Sequence, residues 1–336
     1  MSSAPTADKI DRDATWLAQA LDPSAGTVRL VAMNRDSYRA ASFLDDRLIQ
    51  QPVDAHIVPW PDVEAAVVGD LRTDARWIFH IGHVGSTLVS RLLGEIDGVL
   101  GVREARLLRD LALSPPDVRA RYIGVVPKLM SRAFAPGEIA CVKATSFASE
   151  IAAQLVPPGE RALLMYARPR NYVASILAGE NSLKELHGLG DYRRQRLEAR
   201  GIALPQATND AERAAIAWAC EMVSVEAAAE AMEDRSIAWA DFDTMLGDMN
   251  AELSRVADFF GFTADAARLQ TIVEGPLMQR YSKALEYEYS PDLRNELIAQ
   301  EIRFHGREID AALAMLRASS EKSLLLARAL HRTREA

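Results

Sequence analysis

The sequence predicts a three-layer α/β fold with a mainly parallel central sheet and a helix-rich C-terminal half. Strand-like and helical runs alternate from Arg76 onward, which is typical of a parallel sheet covered by helices on both faces. The composition agrees, because 49% hydrophobic and 26% charged residues are ordinary globular values. A chain of 336 residues is also long enough to bury a substantial core.

The first 70 residues are expected to form an N-terminal extension or cap on a main α/β domain that spans residues 71–336. The cap's predicted elements are a strand over 28–33, an amphipathic helix over 37–49, irregular chain marked by Pro52, Pro59 and Pro61, and a helical run over 62–71. This segment is the least regular part of the sequence, so its role stays open between a cap and an added layer.

The main domain begins with a strand, a glycine turn and a helix. RWIFHI starts at Arg76, the turn GHVGST follows at 82–87, and the next residues carry apolar side chains at helical spacing. The further predicted elements are strand-to-helix units at 137–156 and 161–179, a helical region at 210–232, a strand at 236–241 and a helix that ends at Gly261. In parallel sheets of this kind, ligands bind beyond the carboxyl ends of the strands.

Charge and cysteine content exclude several classes of function. The chain has 39 basic against 47 acidic residues and a formal charge of −8, which disfavours a general nucleic-acid binder, so an anionic ligand needs local positive groups. Cys141 and Cys220 lack CxxC spacing, and a reduced, cytoplasmic protein fits best. No apolar run has the length of a membrane span, and no metal is expected because the six histidines show no HExxH pair.

The turn at 82–87 is the most informative motif. A strand that ends in a glycine turn and opens a helix directs several N–H groups at one point, where the helix dipole adds positive charge. Gly82 and Gly85 let the backbone approach a phosphate, and Ser86 and Thr87 supply hydroxyl donors. An ordinary turn capped by one of these hydroxyls is the alternative. A nucleoside-triphosphatase loop is disfavoured, because that pattern requires lysine where Ser86 stands.

The same turn resembles P-[KR]-S-G-T-T, the 5′-phosphate loop of the sulfotransferases, which use 3′-phosphoadenosine 5′-phosphosulfate on a P-loop-like fold. His83 then stands where the family has lysine or arginine, and its imidazolium would stabilise charge on the leaving phosphate. VREARLL at 102–108 resembles an acidic-x-arginine pattern of the tyrosylprotein sulfotransferase branch, which implies Glu104 as general base. A solvated ion pair is the alternative for Glu104.

Two later motifs continue the resemblance in the same order. ACVKATSF at 140–147 resembles the strand whose lysine contacts the transferring sulfuryl group, which implies that Lys143 stabilises charge there. The stretch 163–175 resembles the 3′-phosphate motif V-R-D-P-R-x-x-x-x-S, in which Ser175 matches the serine and Ala167 replaces the arginine. Arg168 is then a shifted replacement for that arginine, unless it is only a surface charge or 3′-phosphate recognition has been lost.

The region 275–291 corresponds to the family's late contacts with the 3′-phosphate, so Arg280 and Lys283 are further candidates for binding the nucleotide. A surface lysine that extends into solvent is the alternative for Lys283. The basic stretch at 181–201 is interpreted as a lid, an acceptor-binding loop or a solvated helix.

The resemblance implies a sulfotransferase that moves a sulfuryl group from 3′-phosphoadenosine 5′-phosphosulfate, as co-substrate, to a hydroxyl or amine without a metal. The expected partner is a small-molecule, carbohydrate or peptide acceptor, with no nucleic acid and no membrane, and a homodimer is left open. Because His83 and Ala167 differ from the residues that the family has at these positions, two alternative functions stay open. These are a small-molecule kinase on a P-loop fold and a non-catalytic nucleotide-binding protein.

Overall fold

The computed structural model describes residues 5–69, 71–280 and 290–333, which contain one antiparallel and one parallel sheet. The strands are β1 (Trp16–Asp22), β2 (Thr27–Ala32), β3 (Ala55–Pro59), β4 (Arg76–His80), β5 (Val99–Arg103), β6 (Ile139–Lys143), β7 (Arg161–Tyr166) and β8 (Ser236–Asp241). The first helices are α1 (Ala7–Ile10), α2 (Arg35–Ala40), α3 (Trp60–Ala66), α4 (Ser86–Leu93), α5 (Arg106–Leu113), α6 (Pro116–Arg119), α7 (Val126–Met130), α8 (Ala152–Leu155) and α9 (Pro169–Leu177).

The later helices are α10 (Glu180–Gly188), α11 (Gly190–Ala199), α12 (Asp210–Ala231), α13 (Phe242–Gly247), α14 (Met249–Phe260), α15 (Ala266–Val273), α16 (Pro291–Ser320) and α17 (Leu324–Arg332). Short 3-10 helices lie at Leu48–Gln50, Ile123–Val125, Ser146–Ile151 and Pro276–Gln279. These elements confirm the predicted α/β class and its helix-rich C-terminal half. Within the described ranges, no helix combines the length and the apolar character needed to cross a membrane.

The five-stranded sheet is parallel throughout, with the strand order β5-β6-β4-β7-β8. The chain leaves β4 toward β5 on one side and later passes from β6 to β7 on the other side. Because such crossovers are right-handed, α4 covers one face of the sheet, and the 3-10 helix Ser146–Ile151 and α12 cover the other. The carboxyl end of β4 is therefore the point where the connections diverge, which is where open α/β sheets bind ligands.

The central strands are buried on both faces, which explains their nearly continuous apolar sequences. Trp218 in α12 is fully buried, and its indole N–H donates to the carbonyl oxygen of Ala167 at 3.0 Å. Cys141 in β6 and Cys220 in α12 are buried free thiols, and burial raises the pKa of each to about 12. The motif residues around Ala167 and Trp218 thus belong to one continuous core.

The N-terminal segment forms its own antiparallel sheet, in the order β1-β2-β3, whose strand β1 packs against α5. The predicted strand at 28–33 is confirmed as β2, whereas the helix predicted over 62–71 is too long, because α3 spans Trp60–Ala66. The irregular chain expected around Pro59 is wrong, because β3 ends at that residue. A proline is tolerated at the end of an edge strand, where its missing N–H breaks no ladder bond. A domain boundary at residue 70 stays a prediction.

The helix predicted over 37–49 is wrong beyond Ala40, where α2 ends. The guanidinium of Arg103, which is buried in β5, donates to the carbonyl oxygens of Tyr38, Arg39 and Ala41. Leu44 N–H in turn donates to the carbonyl oxygen of Arg103 at 2.7 Å. Burial lowers the pKa of Arg103 to about 9. A long-range contact therefore ends this helix and directs the following loop toward the carboxyl edge of the sheet.

Candidate functional site

A cleft of about 680 Å³ lies at the carboxyl edge of the parallel sheet, beside the ends of β4, β5 and β6. Predicted site residues from four separate motifs line it together. They are Gly82, His83, Gly85, Ser86, Thr87, Glu104, Lys143 and Ser175. The structure thus brings together side chains that are up to 93 residues apart, between Gly82 and Ser175.

The loop 82–87 turns sharply between β4 and α4. Gly82 and Gly85 have φ angles of 77° and 61°, in the left-handed region that favours glycine. No side chain caps α4, whose N-cap is Gly85, so the first N–H groups of the helix stay available at the cleft. Together with the helix dipole, these groups form a cradle of a kind suited to an anion.

The buried hydroxyl of Thr87 is a second, independent observation that favours a ligand at this loop. Its side chain is 1% exposed and lines the cleft, and its Oγ1 has no hydrogen-bond partner in the described part of the chain. A buried hydroxyl without a partner is costly and uncommon in folded proteins. A phosphate oxygen at the start of α4 would satisfy it.

Gly85 is required for a second reason, which is the ring of Phe242. A Cβ atom at Gly85 would lie 1.9 Å from Cζ of that ring, so no side chain fits there. At Gly82, by contrast, a Cβ would meet no atom within 4 Å. Phe242 directly follows β8, so the end of that strand places its ring against the loop.

Glu104 and Lys143 form an ion pair at the ends of the adjacent strands β5 and β6. The Lys143 side chain is 1% exposed and that of Glu104 is 17% exposed. The backbone joins them as well, because Glu104 N–H donates to the carbonyl oxygen of Lys143 at 2.7 Å. Glu104 has a φ of 53°, a strained conformation for a side chain of this type. The carboxylate thus compensates a buried ammonium and reaches the cleft.

His80, which lines the cleft, belongs to the same cluster. Gly82 N–H donates to its Nδ1 at 3.0 Å, so the neutral ring carries its proton on Nε2. That Nε2 lies 3.8 Å from Oε1 of Glu104. His80 lies at the end of β4, immediately before the glycine turn. The sequence signal for His80 is its place immediately before the glycine turn, because the N–H of Gly82 in that turn fixes the imidazole ring.

His83 is held against α10 rather than free in the cleft. Its Nδ1 lies 3.4 Å from Oγ of Ser182 and its Nε2 lies 3.7 Å from Oε2 of Glu185. Its ring also meets that of Tyr172 edge to face, with centroids 6.2 Å apart. The residue has a φ of 54°, so α10 stabilises a strained loop conformation.

The residues predicted for the 3′-phosphate are not all brought together. Ser175 lines the cleft, but its hydroxyl donates to the carbonyl oxygen of Tyr172 at 2.8 Å. Arg168 lies outside the cleft lining and pairs with Asp241 at 3.0 Å. Arg280 follows the 3-10 helix Pro276–Gln279, also outside the lining, and Lys283 lies outside the described residues.

Other side chains of the cleft had no signal in the sequence motifs. They include the aromatic residues Phe43 and Phe242, the arginines Arg47, Arg109 and Arg294, and the aliphatic residues Leu189, Leu293, Leu297 and Ile298. Several come from the N-terminal segment or from α16, which are far from the motifs in sequence. In the described residues, no group of three or more histidine, cysteine or acidic side chains is arranged to hold a metal ion.

Comparison with known proteins gives structural similarity only. No family model matches the sequence, and no curated protein matches it significantly. The chain is similar in structure to the sulfotransferase domain from the curacin biosynthetic pathway, with 12% identity and a TM-score of 0.41 over 67% of this chain and 87% of that one. It is also similar to mouse sulfotransferase SULT7A1 complexed with PAP, with 11% identity and a TM-score of 0.34 over 74% and 90% of the two chains.

Proposed function

We propose that this protein is a sulfotransferase that moves a sulfuryl group from 3′-phosphoadenosine 5′-phosphosulfate to a hydroxyl or amine of an acceptor. The observation that carries the proposal is that an anion cradle with an unsatisfied hydroxyl, at Thr87, opens into the same cleft as the pair Glu104–Lys143. One such feature alone would fit many proteins. Their combination fits a reaction in which a proton leaves an acceptor while charge develops on a bound phosphate.

The loop 82–87 fits the 5′-phosphate end of this co-substrate. The N–H groups at the start of α4 and the hydroxyls of Ser86 and Thr87 would donate to the phosphate oxygens. The 3′-phosphate end fits less fully, because the Ala167 side chain is buried in the core and Arg168 is paired with Asp241. Among the described residues, Ser175 is the predicted 3′-phosphate contact that lines the cleft.

The chemistry assigns different tasks to the two charged groups. The co-substrate supplies a sulfuryl group activated by its bond to phosphate. The Glu104 carboxylate accepts the proton of the acceptor hydroxyl as the new O–S bond forms. Lys143 stabilises the negative charge left when the S–O bond to phosphate breaks, and the bond's electron pair leaves with adenosine 3′,5′-bisphosphate. The Nε2–H of His80 is a further donor beside Glu104.

Calorimetric titration with adenosine 3′,5′-bisphosphate and with ATP tests the proposal. Thr87→Val keeps the volume of the side chain but removes the hydroxyl, so it should weaken the bisphosphate roughly ten- to a hundredfold. The free protein should lose no stability, because Oγ1 has no partner to lose.

Ser90→Ala is the matched control for this titration. Ser90 lies one turn further along α4, and its buried Oγ also has no partner in the described residues, but it does not line the cleft. This variant should bind the bisphosphate like the parent protein. Tighter binding of ATP would support the kinase alternative, and no binding of either nucleotide would support neither enzyme.

A further inference from the structure

The cleft has two sides, which the strand order distinguishes. The phosphate loop follows β4 in the middle of the sheet, whereas Glu104 follows β5 at one edge. A general base must contact the acceptor, so under the proposed function the acceptor lies on the β5 side. The cleft residues of that side come from the loop after α2, from α5 and from the 3-10 helix after β6. They include Phe43, Asp45, Arg47, Arg109 and Phe147.

Two aromatic rings give this side an apolar wall. Phe43 is 7% exposed, and its ring centroid lies 5.6 Å from Nζ of Lys143, which places the ring beside the reacting pair. Phe147 is half-buried and packs against Tyr192, with ring centroids 5.6 Å apart. Rings held in this way suit an apolar acceptor body, since they contribute a large contact area.

The charges on this side do not cancel. Arg47 lies 3.3 Å from the Phe43 ring centroid, and its guanidinium is paired with Asp45. Burial raises the pKa of Asp45, but the hydrogen bonds and charge of Arg47, together with the charge of Arg109, lower it below its ordinary value. The Asp45 carboxylate therefore makes its hydrogen bonds and its ion pair with Arg47, whereas Arg109 acts on it only through its charge.

Arg109 differs from the arginine one turn earlier on α5. Arg106 pairs with Asp46 and Asp110. Arg109 has no ion-pair partner in the described residues, is exposed, and lies 5.8 Å from the Phe147 ring centroid. A guanidinium beside an apolar wall in a cleft is suited to bind a planar carboxylate through two parallel hydrogen bonds.

We propose that the acceptor is an organic acid, an apolar alcohol or phenol whose carboxylate is bound by Arg109 while its body lies against Phe43 and Phe147. This inference rests on the proposed function for the direction of the acceptor. It adds a specificity residue, Arg109, and a substrate class, hydroxy acids with an apolar body.

Calorimetry with two pairs of probes tests this proposal on the full chain, with and without adenosine 3′,5′-bisphosphate. The pairs are 4-hydroxyphenylacetate with its amide, and 12-hydroxydodecanoate with its amide, which differ within each pair only in the anionic group. For at least one pair, the acid should bind roughly tenfold or more tightly than the amide. Arg109→Ala should remove that preference, and Arg109→Lys should keep part of it, because lysine keeps the charge but not the planar fork.

Arg121→Ala is the matched control, since Arg121 is an exposed arginine outside the cleft. It should keep the full preference for the acid. The proposal is overturned if neither acid binds, if acid and amide bind equally, or if the preference survives Arg109→Ala in a protein with an unchanged melting temperature. Failure to bind the bisphosphate would instead overturn the proposed function, because the acid preference is measured independently of it.

Discussion

At the scale of single residues, strained backbone conformations are found at the candidate functional site. In the described part of the chain, the non-glycine residues with positive φ are His83 and Glu104, and both line the cleft. Such conformations cost on the order of 1–3 kcal/mol each and persist only where surrounding contacts impose them. For Glu104 the imposing contacts are the ion pair and the backbone hydrogen bond to Lys143. These contacts with Lys143 therefore hold Glu104 in a backbone conformation that its side chain type rarely adopts.

Substitutions in the Glu104–Lys143 pair should separate stability from catalysis. Glu104→Gln leaves a buried ammonium without its counter-charge and should lower the free energy of unfolding by about 3–5 kcal/mol. Adding Lys143→Met should restore most of that loss, because both charges are then gone. If the pair is catalytic, turnover should stay down roughly 100-fold or more in both variants. Chemical denaturation and sulfuryl transfer to the identified acceptor measure the two effects, and a double variant that regains turnover would show that the pair serves only the fold.

Sequence reasoning singled out Lys143 and the loop glycines as candidates at predicted strand ends, and Glu104 from the resemblance of the stretch 102–108. It could not show that Glu104 and Lys143 pair, since that contact depends on β5 and β6 being neighbours. It also missed His80, because a histidine at a strand end has no distinctive spacing. The tautomer of His80 depends on a backbone amide two residues later, which only the folded turn brings into position.

At the scale of elements, the basic stretch 181–201 forms α10 and α11, and α11 is anchored by buried charges. Arg196 donates to Glu221 at 2.9 Å and to Glu150 at 2.8 Å. The side chain of Arg196 is 8% exposed, which contradicts a fully solvated helix and leaves little freedom for a lid. The sequence could not show this, because the partners lie 46 and 25 residues away.

Glu150 should make the anchoring of α11 dependent on pH. Burial opposes its ionisation, but the charge of Arg196 and hydrogen bonds from Arg200 and Ser224 lower its pKa from 4.5 to about 2. A depressed pKa contributes stability above about pH 4.5, which is lost as the pH falls toward 2. The contribution at neutral pH is about 3 kcal/mol.

Denaturation curves at several pH values, for the parent protein and Glu150→Gln, measure this contribution. The stability difference between the two should be largest near neutral pH and shrink steadily in acid, where the parent carboxyl becomes protonated. Glu198→Gln is the control, since Glu198 is exposed on the same helix. A difference that does not change with pH would mean that the charge of Glu150 does not stabilise α11.

At the scale of the whole molecule, four strands of the parallel sheet were predictable, whereas its edge strand β5 and most of the N-terminal sheet were not. Strands β4, β6, β7 and β8 are short apolar runs followed by helical spacing, so composition and periodicity were sufficient. Strands β1 and β3 alternate weakly, and a proline in β3 favoured irregular chain. The same segment supplies Phe43 and Arg47 to the cleft, so the part of the fold that is hardest to predict also forms part of the candidate acceptor site.

The two buried cysteines can report on local unfolding of the core, because a buried thiol reacts only when the structure around it opens. Cys141 lies in the central sheet and Cys220 in the long helix against its face, and neither can meet an alkylating reagent while the core stays closed. If sheet and helix open as one cooperative unit, iodoacetamide should label both thiols at the same rate, measured by mass spectrometry of timed samples in mild urea. A faster rate at Cys220 would show that the helix detaches first. The labelling rates of Cys141 and Cys220 thus measure the opening of the parallel sheet and of α12 separately, without an engineered probe.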